Sequence, residues 1–241
     1  MTARSFEFAG KRVGCQFSNI LRLIFAMVPF AVYGAVVRNH AIPLDATGFT
    51  WTWMRISGLI GFCFGDLCLC RAFVVVGSRI SMLIMSAVPP LTALIGWWLL
   101  GERLSPTAWL GMAMTVGGIL LVVGSRKTNG SSTNADSTVK GVLFALGGAV
   151  GQAVGLVISK YGMGSFDAVA ATHIRVLAGT AGFIIIFTLS GQWPRVMQAL
   201  HHRVAMRGIL LGSVFGPFLG VTFSLLAVQN TDAGIASTIM S

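Results

Sequence analysis

Apolar runs about as long as a bilayer is thick recur along the chain, separated by short polar links. The clearest pair is 81–100 and 106–124, parted only by Gly101, Glu102, Arg103, Leu104 and Ser105. A helix rises about 1.5 Å per residue, so about 20 residues cross a hydrocarbon core. Neither run holds a charge, while the link holds Glu102 and Arg103 where water or headgroups can solvate them. The pattern predicts a transmembrane helical hairpin. The same reading predicts spans over 20–37, 53–76, 141–161, 168–189 and 207–228. A last apolar run follows Asn230, Thr231 and Asp232 but stops at Ser241, too short to cross. Residues 194–203 are mixed, an interfacial helix or loop, and 125–140 (SRKTNGSSTNADSTVK) reads as a flexible surface linker.

The expected fold is therefore an all-α polytopic membrane protein with about seven complete transmembrane helices and a C-terminal stub. Composition agrees. Charged residues are 10% of the 241, against about 25% in soluble domains, and the mean hydropathy is +0.81. The net charge of +10 is spread over termini and loops, with no clustered basic face, so nucleic acid is not an expected partner. Cys15, Cys63, Cys68 and Cys70 form no metal-ligand spacing and read as small apolar packing residues. No Walker A loop, nucleophile elbow, HExxH helix or paired catalytic carboxylates occur, so neither enzyme chemistry nor a cofactor or metal is expected.

The two sides of the linker resemble each other. Arg22 pairs with Arg175 (175 − 22 = 153), Arg55 with Arg207 (207 − 55 = 152) and Gly65 with Gly216 (216 − 65 = 151). Ile84–Ser86 pairs with Ile239–Ser241 (239 − 84 = 155). Four ordered anchors near one offset argue for an internal repeat. The division is 1–124, a repeat lacking its first helix; 125–140, the linker; and 141–241, a repeat lacking its C-terminal end. On this register the reading frame is expected to continue beyond Ser241 into a proline and a Gly-Glu turn. Gly208, Gly212, Gly216 and Gly220 are spaced by four, as are Ser57, Gly61 and Gly65, and Gly147, Gly151 and Gly155. Such stripes let helices approach closely.

Residues 65–124 carry a further pattern: Gly65-Asp66, Ala72-Phe73 before a tight turn, Pro89-Pro90 within a helix, and Leu100-Gly101-Glu102-Arg103 before the next. In this the chain resembles the EamA-type domains of the drug/metabolite transporter superfamily, closely over 65–124 and more loosely from 141 on. The resemblance implies inverted helical repeats, alternating access to a central cavity, and an exporter of small organic metabolites or drugs in a cytoplasmic membrane. A non-transporting subunit or helix-packing scaffold is the alternative. Basic residues flanking the spans favour a cytoplasmic N-terminal tail; the resemblance implies the opposite side. Expected partners are a small-molecule solute, the bilayer and, as one assembly, a second copy of the chain.

Few polar groups lie within the predicted spans. Asp66 and Arg71 sit well inside the second, where a bare charge at mid-bilayer costs about 2.5–3.5 kcal/mol, so each should face the bundle or water. Asp66 is the candidate for cavity lining or a buried ion pair, and Arg71 for snorkelling or pairing. Arg22 and Arg175 suit anion contact or snorkelling equally. His173 is a candidate titrating group or an interfacial residue, and Gln152 a hydrogen-bond donor to solute or to a neighbouring helix. Pro89 and Pro90 should kink their helix as a static bend or a hinge. Glu102 and Arg103 are expected to cap the hairpin turn and contact loops, with Gly101 and Glu102 as its structural motif.

Overall fold

The computed structural model describes residues 14–103, 105–128, 135–191, 193 and 203–240, and no strand occurs among them. The first helix, α1, runs Cys15–Arg38 and stops on Asn39 in the left-handed region (φ 57°). The second, α2, runs Gly48–Val75; its start is capped by Thr47, whose side chain accepts from the Thr50 amide at 3.3 Å. Gly77 (φ 82°) turns the chain into α3, Ser78–Leu100. Pro89 and Pro90 supply no amides to the Met85 and Ser86 carbonyls, and the helix breaks just ahead of them. There the Ala87 amide bonds the Ile84 carbonyl (2.9 Å), a tighter turn than α. Gly101 (φ 67°) ends α3 in a conformation that favours glycine.

Then follow α4 (Pro106–Thr128), α5 (Ala135–Met163), α6 (Ala168–Leu189), α7 (203–230) and the short α8 (Ala233–Met240). Among the described residues, six helices are long and apolar enough to cross a membrane: α1, α2, α3, α5, α6 and α7. The described apolar part of α4, Pro106–Val122, is shorter. The segment expected as a 125–140 linker is helical at both ends, to Thr128 and from Ala135. A helix satisfies its own backbone, so it can run on past the apolar stretch into water. Residues 194–202, expected as an interfacial element, lie outside the described residues.

The repeat is sharper in the structure than in the sequence. Both α2 and α7 contain a seven-residue π-helical segment, Leu59–Gly65 and Val214–Gly220. The offset is 214 − 59 = 155 at the start and 220 − 65 = 155 at the end, and it persists to the starts of α3 and α8 (233 − 78 = 155). Helix α1 and α6 start 168 − 15 = 153 apart, as the Arg22–Arg175 match required. The structure therefore corrects two anchors: Gly65 corresponds to Gly220 rather than Gly216, and Arg55 to Leu210 rather than Arg207. A glycine every four residues matches itself when slid by one turn, and that is how the register slipped.

Helix α5 packs along α2 and α3; α6 lies against α1, α2 and α7; and α8 packs on α3. Helix α2 lies close on α5. A Cβ on Gly151 would lie 3.0 Å from the Gly65 Cα, and one on Gly155 would lie 3.0 Å from the Gly61 Cα. Ser57 Oγ adds a 2.6 Å bond to the Gly155 carbonyl. The stripe expected on α7 does not work this way. A Cβ on Gly208 or Gly212 meets nothing within 4 Å, while Gly216 faces the Arg22 side chain. Gly155→Leu should thus abolish recovery of monodisperse protein in detergent, whereas Gly212→Leu should leave yield and elution unchanged.

Cys15 and Cys70, expected as packing residues, form a disulfide; Cys63 and Cys68 are free. The pairing joins helices 55 residues apart in sequence, so no local spacing announces it.

Candidate functional site

The sequence places Asp66 immediately after the π-helical segment of α2. The structure puts it where α1, α2 and α5 meet. Asp66 is 7% exposed, and both carboxylate oxygens have partners. Asn19 Nδ2 donates to Oδ2 at 2.6 Å, Gln152 Nε2 donates to Oδ1 at 3.0 Å, and Arg22 Nη2 stands 3.6 Å from Oδ2. Arg22 in turn donates to Asn19 Oδ1 at 2.6 Å. Gln152 Nε2 also lies 3.3 Å from the Gly61 carbonyl, a backbone acceptor in the π-helical segment, where the regular ladder is interrupted. Asp66, Arg22 and Gln152, singled out separately in the sequence, thus form one network. Asn19 completes it, one turn before Arg22; as an uncharged residue near a span end it carried no sequence signal.

This network opens on a cavity of about 460 Å³ between the two halves of the chain. Arg22, Phe62 and Asp66 line it from the first half, and Gln152, Gly216, Pro217, Val221, Phe223 and Ser224 from the second. That volume falls within the range of about 300–1,000 Å³ typical of small-molecule sites, and so does the chemistry, mostly apolar walls with a few polar groups.

The other candidates lie elsewhere. Arg71 is on the exposed outer face of α2 and does not line the cavity. His173, for which an interfacial position was one reading, is 4% exposed and stacked on Phe30 with ring centroids 5.5 Å apart. Arg175 is 3% exposed, about 10 Å into α6 by helix rise, so it does not snorkel. Its guanidinium lies 5.2 Å above the Phe62 ring, and its Nε and Nη1 have no hydrogen-bond partner among the described residues. Cation–π contact contributes about 0.5–2 kcal/mol, less than the cost of a charge deep in a span.

Glu102 does more than cap its own turn. It reaches across the bundle: Lys160 Nζ donates to Oε1 at 2.6 Å, and the Ala233 amide donates to Oε1 and Oε2 at 3.1 and 3.0 Å. Lys160 also donates to the Thr231 carbonyl at 2.6 Å. The carboxylate thereby caps the start of α8, 131 residues away, an end where helix amides favour negative charge. Gly96 makes this possible, since a Cβ there would lie 2.7 Å from Glu102 Oε2.

The model of the EamA-like transporter family matches residues 5–124 and again 139–241. The chain belongs to the EamA-like transporter family. No curated protein matches the sequence. Among solved structures, a chain described as "Crystal structure of protein" aligns with a TM-score of 0.55 at 20% identity, over 97% of this chain and 88% of its own. That likeness concerns the fold. An EamA-like chain is a multi-pass membrane protein of transporter type. The two matched segments each hold one arginine of the Arg22–Arg175 pair and one π-helical segment.

Proposed function

We propose that this chain is a secondary transporter that exports a small organic solute across a cytoplasmic-type membrane by alternating access through the Arg22–Asp66 cavity. The observation that carries the reading is the cavity itself. An ionised network buried among apolar helices opens onto a space of about 460 Å³, where a packing scaffold would bury only apolar and small residues. The repeat supplies a way to move: α6 is the fifth helix after α1, so with α4 crossing as well, equivalent helices run in opposite directions and can exchange roles. The sequence holds no nucleotide-binding loop, and a solute or ion gradient is the driving force this leaves.

The test is access. In a Cys63→Ala/Cys68→Ala background, Ser224→Cys should react with an impermeant thiol reagent from either face of a reconstituted membrane. Its reactivity from one face should fall when the other state is favoured by a solute gradient. Reaction from one face only, insensitive to any gradient, would show a static scaffold.

A further inference from the structure

Resting on that transport reading, we infer that Arg38 is the latch of a gate at one membrane face: its clasp on Asp167 and Asp45 keeps the passage from the cavity to that face shut. Three layers follow one another along α1 in that direction. Arg22 lies at the cavity. Phe30, eight residues on, is fully buried and packs on His173 of α6 and Phe218 of α7, with ring centroids 5.5 and 5.0 Å apart. This aromatic layer joins the two halves of the chain. Arg38, eight residues further, ends the helix. At 1.5 Å per residue each step is about 12 Å. Phe30 and Arg38 both line a small cavity of about 10 Å³, together with Tyr33 and Gly34 of α1 and Ala170 and His173 of α6. That space holds about one water molecule. No organic solute passes it, so α1 and α6 must part there for this face to open.

Charge holds the two helices together at this end. Arg38 Nη1 stands 3.5 Å from Asp167 Oδ2, Nη2 pairs with Asp45, and the guanidinium lies 4.7 Å over the Phe166 ring. Asp167 also caps α6, accepting from the Val169 and Ala170 amides at 3.4 and 3.2 Å. The turn that carries Phe166 and Asp167 is itself anchored: Gln229 Nε2, near the end of α7, donates to the Gly164 and Phe166 carbonyls at 3.0 Å each. Arg38 thus closes a mobile helix end onto a fixed turn. The repeat does not reproduce the clasp. With the α1–α6 offset of 153, Arg38 corresponds to Gly191 (38 + 153 = 191) and Asp167 to Gly14 (167 − 153 = 14). Both are glycines at positive φ, 62° and 88°, with no side chain to pair. Near that end α1 and α6 meet through Phe17 and Phe187, edge to face at 5.4 Å. Two access states related by an exact inverted repeat would be equal in free energy. A clasp built at one end only favours the state in which that end is shut. Part-exposed ion pairs are weak enough to be undone in every cycle, which suits a latch better than a strut.

The test uses sealed proteoliposomes and an impermeant thiol reagent, in the background lacking Cys63 and Cys68. Ala170→Cys places a thiol in the small cavity behind Arg38, and Tyr33→Cys does so from α1 should the first not fold. Reagent added at the Arg38 face should modify that thiol about two- to fivefold faster when Asp167→Asn is introduced, and about fivefold or more faster with Arg38→Gln. That is the scale of the part-exposed contacts removed. Asparagine is itself a good cap, so Asp167→Asn takes away the countercharge without unseating α6. Arg38→Gln combined with Asp167→Asn should be no faster than Arg38→Gln alone, because both changes remove one contact. Arg103→Gln, a cation in the α3–α4 turn outside the clasp, should change nothing. Ser224→Cys, reached from the opposite face, should react more slowly in the same latch variants, since one state gains what the other loses. Unchanged reactivity behind the clasp in folded Arg38→Gln and Asp167→Asn, an equal rise in Arg103→Gln, or faster reaction of Ser224→Cys from the opposite face as well would overturn the latch. The response of Ser224→Cys to a solute gradient, measured with the clasp intact, reports on the transport reading separately.

Discussion

Asp66→Asn is expected to abolish transport and to lower stability at the same time. The sequence posed these as alternatives, a cavity residue or a structural strut, and the geometry makes Asp66 both. Asparagine can still accept a hydrogen bond from Asn19 or Gln152, so the helices should insert and pack. What disappears is a countercharge of Arg22, 3.6 Å away. Breaking a fully buried pair costs about 3–5 kcal/mol. The Arg22 side chain is 22% exposed towards the cavity, and water there solvates part of the stranded charge, so about 1–3 kcal/mol is the expectation. Thermal unfolding in detergent and flux into proteoliposomes measure the two halves of this result. Retained flux would remove Asp66 from the mechanism, and an unchanged melting point would show that Arg22 needs no partner.

The second large effect is expected at Glu102→Ala. Its carboxylate joins the α3–α4 turn, the end of α5 through Lys160, and the first amide of α8. Two charge-assisted contacts are lost, and the Lys160 ammonium, 21% exposed, keeps its bond to the Thr231 carbonyl. About 2–4 kcal/mol is at stake, which for a chain of this size lowers the melting temperature by about 5–10 °C. Glu102→Gln should recover only part of it, since the amide can still accept from Ala233 but no longer pairs with Lys160. A loss no larger than that of Arg103→Ala would show that α8 is held by Gly234 against Ala93 instead.

How far the chain could be read in advance varies from helix to helix. Helix α6 was legible to the residue, Ala168–Leu189, because Asp167 is a capping residue and the apolar run behind it is unbroken. Asp66 was legible because a lone acid in an apolar run costs too much to stay unless it serves something. The register of the second repeat was not, because glycines every four residues fit equally well one turn away. The far partner of Glu102 was not legible, because a side chain whose partner lies 131 residues on leaves no local trace. Arg175 was ambiguous for a different reason. Position along a helix fixes depth but not azimuth, and azimuth decides whether an arginine turns to headgroups or inward onto Phe62.

The Cys15–Cys70 bridge bears on how the bundle can move. Cys15 is four residues from Asn19, and Cys70 four from Asp66, so the disulfide lies one turn along the same two faces as the 2.6 Å Asn19–Asp66 bond. It pins α1 to α2 at one end, with Cα atoms 5.6 Å apart. Rocking between the two helices then behaves as a lever with its fulcrum at the bridge. At about 1.5 Å per residue, the Arg38 end of α1 lies about 35 Å from that fulcrum, so a tilt of about 10° displaces it by about 6 Å. The cavity, close to the pin, barely changes shape in the same stroke. Such a tilt moves the Arg38 end most and the Arg22–Asp66 pair least.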